Sequence, residues 1–138
     1  MISTNFSTIF TSESIDLAML VFLWIVQIII YPSFKEVAKD KILLWHKNYQ
    51  TKVSIIMGPI MLIQIYMITI DFIYSSSTLS TIRFILLIAS WVLTICISVP
   101  LHKKIESNDE RENSIERLIR TNLLRTFTWT AIYLTHFA

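Results

Sequence analysis

The sequence predicts an all-α fold, an up-and-down four-helix transmembrane bundle, and three observations lead to it. Hydrophobic residues make up 54% of the 138-residue chain and charged residues only 16%, against roughly 25% charged residues in soluble domains. The mean hydropathy is +0.58. Four apolar segments divide the chain, and one glycine and three prolines leave little material for flexible linkers. We therefore expect a single transmembrane domain over residues 1–138.

Three apolar segments are long enough to cross a membrane as helices. They predict helices at about residues 15–33, 36–74 and 80–102. The second helix should bend at Gly58 and Pro59, because proline removes a backbone hydrogen bond.

The fourth apolar segment, Leu123 to Ala138, is too short for a hydrocarbon core of about 30 Å. We extend its helix backward to Asn113, which forms a capping-box pattern with Glu116. The fourth helix is therefore predicted at about 113–138.

An amphipathic pattern precedes the second apolar segment. From Phe34 onward, apolar residues recur at spacings of three and four, which marks one face of a helix; they are Val37, Ala38, Ile42, Trp45 and Tyr49. We expect the bundle to carry amphipathic helical extensions of this kind on its cytoplasmic side.

The positive charges predict the orientation. Of the 12 Lys and Arg residues, all but Arg83 lie in or beside the connections between helices one and two and between helices three and four. The positive-inside rule then makes these connections cytoplasmic and places both termini outside, as for a multi-pass protein of the cell inner membrane. Acidic residues are mixed with the basic ones and no aromatic-studded basic surface accompanies them, so we expect no nucleic-acid partner.

Polar residues of all four segments should meet near the cytoplasmic membrane surface in an antiparallel bundle. Seven form the candidate ligand-binding site there, and an eighth, Gln64, lies deeper, near mid-membrane. The seven are Gln27, Tyr31, His46, Ser98, His102, Asn122 and Arg125. Each also has a structural interpretation. The glutamines could hold helices together, Ser98 could bond to its own backbone, and Arg125 could reach the headgroups.

Metal chemistry is restricted by the available ligands. The carboxylates fall near the outer ends or in the connections, so a di-iron bundle lacks its ligands. His46 and His102 are the candidate metal ligands, either as the axial pair of a haem or around a single transition metal. Cys96 is the one cysteine and offers neither an internal disulfide nor a thiolate cage.

Several motifs resemble a group of small uncharacterised four-helix bacterial inner-membrane proteins. They are W-x-x-Q-x-x-x-Y-P from Trp24, W-H at Trp45, G-P-x-M-L from Gly58, V-P-x-H from Val99 and T-N-x-x-R-T-x-x-W from Thr121. The last two helices also resemble, more remotely, the anthrone-oxygenase-like family. Where the first group carries a second histidine and an acid, this chain has Gln50 and Gln64.

The function expected from the residues is binding of an apolar or amphipathic small molecule, or a lipid, in a pocket of the cytoplasmic leaflet. If the protein is an enzyme, a redox or lipid-modifying step fits best, with His46 and His102 handling a metal or protons and Arg125 holding an anion. The alternative is a non-catalytic accessory subunit with a membrane-protein partner, whose polar residues fix helix packing only. The lipid bilayer is the surrounding partner in either case.

Overall fold

The structure, a computed structural model, describes residues 11–75, 77–107 and 110–138. Within these residues it contains no strand and consists of four long helices, which we call α1 (Ser12–Ser33), α2 (Ile42–Ser75), α3 (Thr78–Ser107) and α4 (Arg111–Leu134). A short 3₁₀ turn, Thr135–Phe137, follows α4. The predicted all-α bundle is confirmed.

Three of the four helices, α1, α2 and α3, are long and apolar enough to cross a membrane. Their outer faces carry large exposed hydrophobic side chains, for example Ile28, Ile55 and Ile85, as expected for surfaces that face lipid. The more polar α4 packs against α1 and α3 and buries Asn122 and Trp129 between them. The apolar helices support the prediction that this chain is a membrane protein.

Short connections join the helices and give the bundle two chemically different ends. We call the end formed by residues 34–41, Lys103, Lys104 and Arg111 the basic end. The opposite end is formed by residues 12–16, 71–75, 77–83 and 132–138.

Two helices begin with reciprocal hydrogen bonds at the opposite end. The Thr11 hydroxyl accepts from the Ser14 backbone N–H, and the Ser14 hydroxyl accepts from the Thr11 N–H, at the start of α1. Ser77 and Ser80 repeat the arrangement at the start of α3. These capping boxes satisfy backbone donors that no helical carbonyl can reach, which fixes where both helices start.

The connection between α1 and α2 differs from the sequence prediction, which placed helix from residue 36. Residues 34–41 form turns instead, and α2 begins at Ile42. Phe34 and Ile42 are both buried in one apolar cluster with Leu101 and Ile105 of α3, so tertiary burial folds this segment back on the bundle. Of the predicted apolar face, Ala38 is exposed in this connection, whereas Ile42, Trp45 and Tyr49 lie in the first turns of α2.

The start of α4 also corrects the prediction. The helix begins at Arg111, not at Asn113, and its N-cap is Glu110 with φ of 46°. The Glu110 side chain accepts from the Asn113 amide at 3.2 Å, and Arg111 Nε donates to the Ile105 carbonyl at 3.0 Å. The arginine therefore anchors α4 to the end of α3. The helix stops at Leu134, whereas the prediction extended it to 138.

Two further bounds differ modestly, since α1 starts at Ser12 and α3 runs from Thr78 to Ser107. Pro59 lies inside the continuous helix α2, where the predicted bend stays a prediction.

An exposed ion pair joins the first connection to α4, because Lys39 Nζ lies 2.7 Å from Glu112 Oε1. This hydrogen bond raises the pKa of Lys39 above its usual value.

Candidate functional site

Two histidines from different helices form a direct hydrogen bond near the basic end. His46 lies in the second turn of α2 and His102 in the last turns of α3, and His46 Nε2 is 2.8 Å from His102 Nδ1. On its other side, His102 Nε2 is 3.1 Å from the Tyr31 hydroxyl of α1. These three hydrogen-bonded side chains thus link α1, α2 and α3. The sequence predicted that the three residues lie at one depth in the bundle.

His46 is fully buried, with 0% of its surface exposed. The ring of Phe34 packs edge-on against it, with 5.5 Å between ring centroids. Its remaining ring nitrogen, Nδ1, lies 3.4 Å from Glu106 Oε1 in α3, a contact that is not an aligned hydrogen bond. Glu106 was not among the residues predicted for the site, because its position one turn after His102 looked like part of a solvated charged face.

A cavity of about 250 Å³ lies beside this chain and is lined by all four helices. Its wall is mostly apolar, with Met19, Leu23, Val53, Met57, Met61 and Trp129 among the lining side chains. The polar side chains on the wall are Tyr31, Tyr49, Gln50, Ser54, Thr94, Ser98, His102 and Arg125. Four of the eight predicted site residues, Tyr31, Ser98, His102 and Arg125, therefore face one space.

Arg125 brings a positive charge to this cavity without a balancing carboxylate. Its Nη1 lies 3.4 Å from the Ser98 hydroxyl, and its guanidinium carbon is 6.0 Å from the centre of the Trp129 ring. Its Nε is buried and has no hydrogen-bond partner in the described part of the chain. Within residues 11–75, 77–107 and 110–138, no ion pair involves Arg125. A buried donor without a partner is uncommon in folded proteins.

Two other predicted site residues, Gln27 and Asn122, form a hydrogen bond with each other and do not line the cavity. The Asn122 amide donates to Gln27 Oε1 at 2.8 Å, and Gln27 donates to the Ile119 carbonyl at 3.2 Å. Asn122 is fully buried. This arrangement joins α1 to α4 as an interhelical hydrogen-bond pair.

Gln64 lies in a separate polar network toward the opposite end. Its amide nitrogen donates to Asp16 Oδ1 at 2.7 Å, and its carbonyl oxygen accepts from Trp129 Nε1 at 2.8 Å. The Asp16 carboxylate also pairs with Arg83 at 2.6 Å and lies 2.8 Å from His136 Nε2. One carboxylate thus holds groups from all four helical segments together.

Sequence reasoning did not predict this second network. The sequence places Asp16 near the outer end but does not indicate that its side chain faces inward, because the first segment is apolar on nearly every side. Arg83 was the available signal for this network, because it is the single basic residue in an otherwise uncharged third segment. An isolated charge in a transmembrane segment is expected to have a partner.

The histidine pair does not fit a metal ion held between its rings in this arrangement. Metal-bound nitrogens lie about 2.0–2.1 Å from zinc, and a tetrahedral zinc ion separates two of them by about 3.3 Å, which exceeds the 2.8 Å found between His46 Nε2 and His102 Nδ1. An axial haem pair requires still more space between the rings. Among the described residues there is also no cluster of three His, Cys, Asp or Glu side chains spaced to hold a metal ion.

The fold and site together define a small helical bundle with three helices long and apolar enough to cross a membrane and a mostly apolar cavity between its four helices. No protein-family model, curated protein or solved structure matches this chain. The resemblances noted in the sequence therefore stay predictions.

Proposed function

We propose that this protein is an integral membrane protein that binds an amphipathic anion, a small molecule or lipid with an acidic head and an apolar body, in the cavity between its four helices. The observation that carries the proposal is Arg125, a guanidinium that lines a mostly apolar cavity and has no carboxylate partner among the residues that the structure describes. An anionic head would supply the missing charge and partner for this side chain.

Arginine suits this task because its planar fork can donate two parallel hydrogen bonds to a carboxylate or phosphate. Ser98 already contacts one guanidinium nitrogen and would orient the fork. Tyr31, Gln50 and Ser54 offer further hydrogen-bonding groups on the same wall. The head of the ligand would therefore sit toward the basic end and its body against the methionines.

The size of the cavity limits the ligand. Its volume of about 250 Å³ lies just below the roughly 300–1,000 Å³ of typical small-molecule sites. A head and a few carbons of an acyl chain fit such a volume, and the rest of a longer chain would pass between helices into the bilayer. Exposed apolar side chains on the outer faces, such as Ile55 and Ile28, provide a matching surface there.

The orientation of the protein is part of the proposal. The basic residues of the connections favour placing the basic end in the cytoplasm and both termini outside, in a cell inner membrane. The cavity would then open to the cytoplasmic leaflet, where an amphipathic anion can enter with its head near the membrane surface.

The proposal is tested by binding of dodecanoate, with dodecanol as the neutral analogue of equal chain length. Native mass spectrometry of the detergent-purified protein should show dodecanoate bound and dodecanol bound much more weakly. Arg125→Gln should weaken dodecanoate binding roughly tenfold to a hundredfold, since a hydrogen bond to a charged group contributes about 1.5–3 kcal/mol.

The matched control is Arg120→Gln, which removes an exposed arginine of the same helix and should leave binding unchanged. Equal binding of dodecanoate and dodecanol, or equal loss in the two variants, would contradict the proposal. Arg125→Lys keeps the charge without the fork and should give an intermediate affinity, which separates a binding defect from a folding defect.

A further inference from the structure

Four side chains form a continuous line from the surface at the basic end to the cavity. Glu106, whose side chain is 30% exposed, contacts His46, His46 bonds to His102, and His102 bonds to the Tyr31 hydroxyl on the cavity wall. We propose that this line is a proton relay, which exchanges protons between water at the basic end and the head of the molecule in the cavity. The identity of the acceptor rests on the proposed function, whereas the relay itself can be measured without a ligand.

The chemistry of the side chains permits both directions of transfer. A neutral imidazole has one donor and one acceptor nitrogen. When Glu106 is ionised, His46 Nδ1–H points to the carboxylate, His102 Nδ1–H donates to His46 Nε2, and the Tyr31 hydroxyl donates to His102 Nε2. Every hydrogen bond then points toward Glu106.

Inward transfer starts from the other tautomers, in which protonated Glu106 points to His46 Nδ1, His46 Nε2–H donates to His102 Nδ1, and His102 Nε2–H donates to the Tyr31 oxygen. The carboxyl passes its proton to His46 Nδ1, His46 passes its Nε2 proton to His102 Nδ1, and His102 passes its Nε2 proton to the Tyr31 oxygen. Tyr31 then releases its own proton to a basic atom in the cavity. One proton enters and one leaves, and both histidines end neutral with Nδ1 protonated in place of Nε2, which is the arrangement described for ionised Glu106.

The surroundings favour this route over a purely structural histidine pair. His46 has no exposed surface and does not line the cavity, so its protons reach water only through its two polar neighbours, His102 and Glu106. Aromatic rings of Phe34 and Tyr49 flank the imidazole and exclude water from its faces. A histidine pair that served packing alone would need neither a carboxylate at one end nor a hydroxyl on a cavity wall at the other.

The first step of the relay requires a small movement. The distance of 3.4 Å between Glu106 Oε1 and His46 Nδ1 exceeds the usual 2.7–3.2 Å of an N–H···O hydrogen bond. The part-exposed Glu106 side chain can rotate to shorten this gap after it has exchanged a proton with water. Glu106 is therefore the residue that controls access to the relay.

The test measures the exchange of the ring protons with water. The exchange is monitored by NMR on protein labelled with ¹⁵N-histidine, in lipid nanodiscs without added ligand. The relay predicts that the His46 and His102 ring protons and the Tyr31 hydroxyl proton exchange at one common rate, although His46 is fully enclosed. Glu106→Gln, which cannot carry a proton, should slow all three by about a hundredfold, the lower range for a positioned proton-transfer group.

The control is Glu116→Gln, which alters an exposed glutamate at the same end and should leave the three rates unchanged. Different rates for the two histidines in the wild-type protein, or rates that Glu106→Gln leaves unchanged, would overturn the relay. Because no ligand is present, that result would leave the dodecanoate experiment to decide the proposed function on its own.

Discussion

The rings of His46 and His102 are joined by a 2.8 Å hydrogen bond, although 56 positions separate them in the chain. The bond exists because α2 starts and α3 ends at the basic end of the bundle, which brings the second turn of one helix beside the last turns of the other. Through His102, the bond connects the buried His46 to the cavity-lining Tyr31. The two histidine side chains should therefore behave as one unit.

This coupling is measurable in the free energy of unfolding. His46→Ala should destabilise the protein by about 1–3 kcal/mol, because His102 Nδ1 loses its buried partner, and His102→Ala should cost a similar amount. The double variant should cost less than the sum of the two by about 1 kcal/mol or more. Denaturant titration of the four proteins in mixed micelles measures these values.

A distant histidine provides the comparison. His46→Ala combined with His136→Ala, at the other end of the bundle, should be additive within about 0.5 kcal/mol, as for sites without shared partners. Additive costs for His46 and His102 would mean that their contact contributes nothing to the folded state.

Asp16 should be the most sensitive polar position for stability. Its carboxylate is 1% exposed and pairs with Arg83, whose side chain is 9% exposed. Asp16→Ala should cost about 3 kcal/mol, the lower range for breaking a buried ion pair, because Arg83 keeps only the part-exposed Asp71, 3.6 Å away. Thermal unfolding monitored by circular dichroism measures the loss.

Two further variants separate this effect from a general weakness of α1. Glu13→Ala changes an exposed acid one turn earlier and should shift stability by no more than about 0.5 kcal/mol. Adding Arg83→Ala to Asp16→Ala should recover part of the loss. A double variant that is less stable than Asp16→Ala would contradict the buried-pair account.

Gln64 should stabilise the bundle and not the bound ligand. Gln64→Leu removes its bonds to Asp16 and Trp129 and should cost about 1–2 kcal/mol, because intramembrane hydrogen bonds average near 0.6 kcal/mol each and Asp16 also loses a donor. Dodecanoate binding should be retained. Gln50→Leu, which changes a cavity-lining amide of the same helix, should show the reverse pattern; loss of binding in Gln64→Leu alone would return Gln64 to the ligand site.

The number and class of the elements could be predicted from sequence because hydropathy acts over whole segments. A run of apolar residues predicts a helix regardless of what packs against it. The approach of His46 to His102 was also predictable, since antiparallel helices place residues near the same membrane boundary at one depth. Both predictions depend on position along a helix and not on the direction of individual side chains.

Side-chain direction is what the sequence could not supply. The apolar character of α1 gives no preferred inner face, so the inward position of Asp16 could not be inferred. Gln27 and Tyr31 are four residues apart, yet they contact different helices, α4 and α3. The π-helical segment Val26–Ile30 contains Gln27 and ends directly before Tyr31, and the hydropathy pattern does not encode such a local change in winding.

The proposed orientation can be examined with reporters fused at two positions. A reporter that is active only in the cytoplasm should be active when inserted after Ser107, in the basic connection, and silent when fused after Ala138. The charge distribution accounts for this expectation, since basic connections stay in the cytoplasm. The reversed pattern would invert the protein and move the cavity to the outer leaflet.

The central claim, an amphipathic anion held by Arg125 in the cavity, is tested most directly by site-resolved photolabelling. Dodecanoate carrying a diazirine near the end of its chain is illuminated with the wild-type protein in nanodiscs, and the labelled residues are mapped by mass spectrometry. The account predicts labelling of cavity-lining residues such as Met57 and Met61, competition by unlabelled dodecanoate, and loss of this labelling in Arg125→Gln. Labelling confined to the outward-facing Ile55 and Ile56, or equal labelling of the cavity in wild type and Arg125→Gln, would contradict it.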